Sequence, residues 1–90
     1  MRAIKEARHL IEEVPQEESA QILARLVLAL ETEVNFAIAD IYKLNREHFD
    51  LALKILQEWR LDRYYAGKAR LFDVALLAAK TDLANEPVAI

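Results

Sequence analysis

AQILARLVLALETEVNFAIADIYKL, residues 20–44, keeps one apolar spacing from end to end. Ala20, Val27, Val34 and Ile41 share one heptad position, and Leu23, Leu30, Ala37 and Leu44 share the other. Steps that alternate between three and four are the pattern of a helix that packs along its length against other helices. No Gly or Pro interrupts the run between Gln16 and Leu44. The spacing therefore predicts one helix over 16–44, about 43 Å long at about 1.5 Å per residue.

The flanking sequence reads as partners for that seam. Ile4, Ala7, Ile11 and Val14, with Leu10 beside them, predict a first helix over 2–14. Pro15 ends it, since proline donates no hydrogen bond and restricts the residue before it. Pro15, Glu17, Glu18 and Ser19 all suit the start of the next helix. A single helix running on through Asn45 to Tyr65 would be too long for so short a chain. The expectation is a tight turn at 45–48, with Asn45 as a cap for either neighbour. A third helix over 47–66 carries the stripe Phe49, Ala52, Leu56 and Trp59, with Ile55 alongside, and meets Arg63 where an apolar residue is due. Gly67, the only glycine, is its expected stop, with a kink in one continuous helix as the alternative. A fourth helix over 68–83 follows, with Phe72, Ala75, Leu76, Ala79 and Leu83 on one face.

The fold class is thus all-α. It is a small up-and-down bundle of three to four helices on one long central helix, completed by dimerisation where the chain's own helices fall short. Residues 1–83 form the single domain. Residues 84–90, with Pro87, form a frayed tail.

Folding the hairpin about Asn45 sets Trp59 near Val34 and Leu30, and Leu56 near Ala37. It also brings Glu33 to Arg60, with Arg63 one turn on. Glu33, Asp40 and Glu47 recur one heptad apart, and this acidic row reads as an ion-paired flank that sets register. Leu28, Phe36 and Tyr42 on the second helix, and Leu61 and Tyr65 on the third, lie off the seams. Helices one and four are both shorter than 43 Å. These five residues are therefore the candidate interface of a homodimer.

The apolar fraction is 54%, above the 45–50% usual for soluble domains, and the excess fits such an interface. With no cysteine, disulfides, thiolate catalysis and Cys-ligated zinc are excluded. Residues 1–50 hold 6 Lys and Arg against 10 Asp and Glu, and residues 51–90 hold 6 against 5, so neither half is basic enough to imply nucleic-acid binding from bulk charge. The N-terminus is charged from Arg2 onward and lacks the apolar core of a signal peptide, and the longest apolar run, 74–79, is far too short to span a membrane. A cytoplasmic location is the expectation.

Candidate chemistry is sparse. A di-iron bundle needs two Glu-x-x-His pairs projecting inward. Here the acids Glu12 and Glu13 follow His9, and Glu47 directly precedes His48, so neither histidine fits. His48 reads as a helix-start residue and His9 as a solvated one. Ser19 is the one serine and nothing beside it would activate it. The sequence shows no catalytic residue, no metal site and no cofactor motif. The most suggestive run is 59–70, where Trp59, Arg60, Arg63, Tyr64, Lys68 and Arg70 interleave basic and aromatic side chains. That mix suits phosphate contact with base stacking, protein hot spots, or a plain helix junction. The functional expectation is a non-enzymatic, self-associating protein-interaction or assembly module. The alternative is a small regulatory nucleic-acid or anion binder using 59–70, and a metal-carboxylate enzyme is a distant third.

Overall fold

The computed structural model describes residues 2–61 and 66–85. They form four α-helices, α1 (Arg2–Glu13), α2 (Glu18–Thr32), α3 (Arg46–Leu61) and α4 (Ala66–Asn85), with a 3-10 helix (Ile38–Lys43) between α2 and α3. There is no strand among the described residues, so the all-helical expectation holds.

The first helix follows its pattern. Ala3, Ile4, Ala7 and Ile11 are buried, Leu10 and Val14 pack beside them, and the helix stops two residues before Pro15. α2 packs chiefly on α4, while α1 lies across α4, α3 and α2, so α3 docks mainly on α1 rather than folding back along α2 as the hairpin expectation has it. Ala20, Gln21, Ile22, Leu23, Ala24, Leu26, Val27 and Ala29 are all buried. At about 100° per residue these positions cover most of the helix circumference. Glu18, Arg25 and Thr32 mark the strip that stays wet.

Alanines make that enclosure possible. Ala7, Ala20, Ala24, Ala52 and Ala75 are fully buried, and such small side chains let helix axes approach closely. The larger side chains Ile4, Ile11, Ile22, Leu23, Val27, Ile55 and Leu71 fill the space between them.

Three side chains, through five hydrogen bonds, lock the helices. The Glu58 carboxylate on α3 accepts from the backbone N–H of Ala3 at 2.9 Å and of Ile4 at 3.2 Å. The side chain of Gln21 on α2 donates to the carbonyls of Pro15 and of Ala78, the latter at 2.9 Å. The Lys68 ammonium on α4 donates to the Trp59 carbonyl at 2.7 Å and stands 4.9 Å from the Trp59 ring centroid. Each uses a side chain of one element to satisfy a backbone group of another.

The 16–44 helix is the main correction. α2 ends at Thr32, and Glu33 takes a left-handed conformation, φ 59 and ψ 32. Val34–Ala37 is non-helical, and a 3-10 turn replaces the expected last turns. Thr, Val, Asn and Phe cluster over 32–36, all weaker helix formers than the Leu and Ala before them. The Thr32 hydroxyl also turns back onto the Leu28 carbonyl at 2.6 Å. The register that would set Trp59 against Val34 and Leu56 against Ala37 therefore has no helix to run on, and Val34 and Ala37 are exposed.

Gly67 does not end a helix either. Gly67 lies in the first turn of α4; α3 is described to Leu61, and residues 62–65, on which the continuous-helix alternative turns, lie outside the described residues. The inward face of α4 is Lys68, Leu71, Ala75 and Ala78; of the expected face Ala75 is buried, while Phe72, Leu76 and Ala79 lie about one residue away from it. Leu83 lies outside the described side chains. Residues 71–79 are apolar nearly all round, so their spacing singles out no face. α4 runs to Asn85, two residues past the expected end, and residues 86–90 lie outside those described.

Candidate docking surface

The segment that breaks away from α2 divides its apolar side chains between two directions. Ile41 and Leu44 are buried and Phe36 packs against the core. Val34, Ile38 and Tyr42 stay 60%, 69% and 78% exposed. The backbone is held at both ends. At the near end Glu33 closes α2 in a left-handed conformation. At the far end the Leu44 N–H bonds the Ile41 carbonyl at 3.1 Å, and the Asn45 side-chain oxygen accepts from the His48 N–H at 2.8 Å. Asn45 is thus the N-cap of α3.

Arg25, Leu28, Ala29, Val34, Asn35, Phe36, Ala37 and Asp40 line a groove of about 330 Å³ between α2 and this segment. The groove floor is apolar and one rim is charged. Asp40 lies 3.6 Å from the Arg25 guanidinium and 3.3 Å from the Lys43 ammonium. All three side chains are at least partly wet, so these pairs orient the 3-10 helix more than they stabilise it. Tyr42 stacks on Phe49 of α3 with centroids 6.0 Å apart and planes 16° from parallel.

Of the five interface candidates, Leu28 and Phe36 line this groove and Tyr42 belongs to the same segment. Leu28 and Phe36 are half-buried within the chain, not spare apolar residues on the back of a long helix. Val34 and Ile38 are more exposed than either, and no apolar spacing in the sequence marks them as surface. Val34 was assigned to the seam, and it loses that role because the helix stops short of it. The Leu61 side chain and Tyr65 lie outside the described residues.

Of the expected flank, Glu33 and Arg60 form no ion pair among the described residues, and the alternative partner Arg63 lies outside them. Among the described residues the ion pairs are Arg8–Glu12, Arg25–Asp40 and Lys43–Asp40, so Asp40 alone of the acidic row is paired, and with other partners. Glu33 is exposed at the end of α2, and Arg60 is exposed on α3. Arg63 and Tyr64 lie outside the described residues. In the basic-aromatic run, Trp59 is half-buried and Lys68 buried, and the two hold each other. Arg60 and Arg70 are exposed.

A second groove, of about 560 Å³, runs between α1 and the start of α3 and is lined by both histidines, with Lys5, Glu6, Leu10, Glu13, Glu47 and Leu51. His9 is exposed. His48 stands in the first turn of α3, as expected of a helix-start residue, and its Nδ1 is dry with no hydrogen-bond partner. Among the described residues no three His, Asp or Glu side chains are grouped so as to hold a metal ion. Nor is any described helix long and apolar enough to cross a membrane. No protein-family model matches the chain, and no curated protein or solved structure is significantly similar to it.

Proposed function

We propose that this chain is a non-enzymatic helical docking module that meets another protein through the segment from Val34 to Lys43. One observation carries the reading. Val34, Ile38 and Tyr42 stand in water on a segment whose other large apolar residues, Phe36, Ile41 and Leu44, are already taken up by the core. They are not core residues waiting for space, and clustered apolar exposure of this kind marks contact surfaces. A tyrosine beside a charged rim adds the composition typical of binding hot spots. The nucleic-acid reading of 59–70 gains no comparable support, because Lys68 spends its charge on the Trp59 carbonyl and ring inside the fold.

The test is a displayed peptide library selected on the wild-type protein and counter-selected on Val34→Glu and Ile38→Glu variants. Apolar peptides that bind the wild type and lose binding to both variants are the expected result. A selection that yields no binder sensitive to either substitution sinks the proposal.

A further inference from the structure

We infer that the partner of this surface is a second copy of the same chain, docked about a two-fold axis. The inference rests on the docking reading above and adds the identity of the occupant. An isologous contact requires a surface that is its own complement. This one carries both halves of such a fit. Its projecting side chains are Val34, Ile38 and Tyr42, and its recess is the groove of about 330 Å³ floored by Leu28, Ala29 and Phe36. A two-fold axis through the patch sets the projections of each copy against the recess of the other.

The charges point the same way. Arg25 and Lys43 share the single carboxylate of Asp40 within the chain, which leaves that side of the rim net cationic, and Glu31 and Glu33 stand exposed as an anionic side where α2 ends. A partner of strongly acidic or strongly basic surface would meet like charge somewhere on this rim. A copy of the rim itself can match cation to anion twice over, once on each side of the axis. The dimer therefore does not arise from a long helix left uncovered, since α2 is enclosed by its own chain. It arises from the segment that departs from α2.

Light scattering on the full chain across the micromolar range tests this. The wild type should give twice the 10.3 kDa chain mass. Val34→Glu and Ile38→Glu should each weaken the dimer by about tenfold or more, while Leu53→Glu, at an exposed apolar position on α3, should leave it intact. A monomeric wild type overturns the second-copy assignment and leaves the patch free, so that the peptide selection then tests the docking reading alone. A dimer that survives both patch substitutions, or that falls apart with Leu53→Glu, overturns the location. If a glutamate variant fails to fold, a mixture of labelled and unlabelled wild-type chains decides. Intermolecular NOEs from the Val34 or Ile38 methyl groups to Leu28 or Phe36 are expected, and a dimer without them overturns the proposal.

Discussion

Glu58, Gln21 and Lys68 each satisfy backbone groups that their own helices do not own. The first N–H groups of α1 have no partner within the helix and no acidic residue in its own first turn, so the Glu58 carboxylate supplies both charge and acceptors from α3. Lys68 acts at the opposite polarity, since the Trp59 carbonyl belongs to the last turn of α3, where acceptors are left over. Removing a cap of this kind costs about 1–2 kcal/mol, so Glu58→Ala should lower the urea midpoint accordingly, and Glu58→Gln should lower it less because one acceptor oxygen survives. An unchanged midpoint for Glu58→Ala would show that water caps α1 equally well. Glu33 presents the reverse case. It holds φ at 59 without being glycine, in a region that costs other residues about 1–2 kcal/mol. Glu33→Gly relieves that strain and adds freedom to the unfolded chain, so a net gain of about 0.5–1 kcal/mol is expected in denaturant unfolding. A loss would mean that the Glu33 side chain has a role the fold does not reveal.

The elements differ in how firmly each is tied down. α2 is enclosed by α1 and α4, whereas Val34–Ala37 makes no helical ladder and its side chains are largely wet. Native-state hydrogen exchange should therefore rank Leu23–Val27 among the slowest amides and 34–37 among the fastest. A protected 34–37 stretch in the Ile38→Glu variant, at a dilution where light scattering gives the chain mass, would mean that the α2 helix continues in solution. α4 shows why apolar spacing alone can mislead. Its residues 71–79 are apolar around the helix, and packing selects Leu71, Ala75 and Ala78 because alanines let α4 lie close to α2 and α1. Enlarging one of these sites tests that reason. Ala75→Leu should cost about 1–3 kcal/mol through overpacking, while Ala79→Leu, on the half-buried side, should cost less. Equal effects at the two positions would refute the inward assignment of Ala75.

At the scale of the whole molecule the described helices have a radius of gyration of 12.6 Å, close to the about 12 Å expected of a compact ninety-residue domain. The core is continuous, since buried residues of α1, α2, the 3-10 helix, α3 and α4 form a single cluster. Unfolding should be one cooperative transition. A domain this small has a total stability of about 5–15 kcal/mol, so truncating a fully buried side chain that bridges elements takes a large share of it. Leu23→Ala or Ile55→Ala should each cost about 2–5 kcal/mol, read from the thermal midpoint by circular dichroism. Two separate transitions in the wild type would show that the 3-10 helix and α3 unfold apart from α1, α2 and α4.

The sequence by itself determined the helical class, the face of α1, the stop before Pro15 and that Asn45 caps a helix, though not which one. These rest on local chemistry: apolar steps of three and four, a residue with no N–H to donate, and a side chain that bonds a backbone amide three positions on. Tertiary structure decided where the heptad run of 20–44 breaks. Heptad spacing records which residues could face a partner helix, but it carries no cost for Thr32, Val34, Asn35 and Phe36 falling within five positions. The chain leaves the helix there, folds Phe36, Ile41 and Leu44 back onto the core, and leaves Val34, Ile38 and Tyr42 outside. Tertiary structure also decided which face of α4 points inward and which helix ends Glu58 and Lys68 satisfy, because those partners lie on other helices and no local spacing encodes them. The candidate docking surface belongs to this second group. Leu28, Phe36 and Tyr42 were legible as apolar residues off the seam. Val34 and Ile38 became part of the surface only because α2 ends at Thr32.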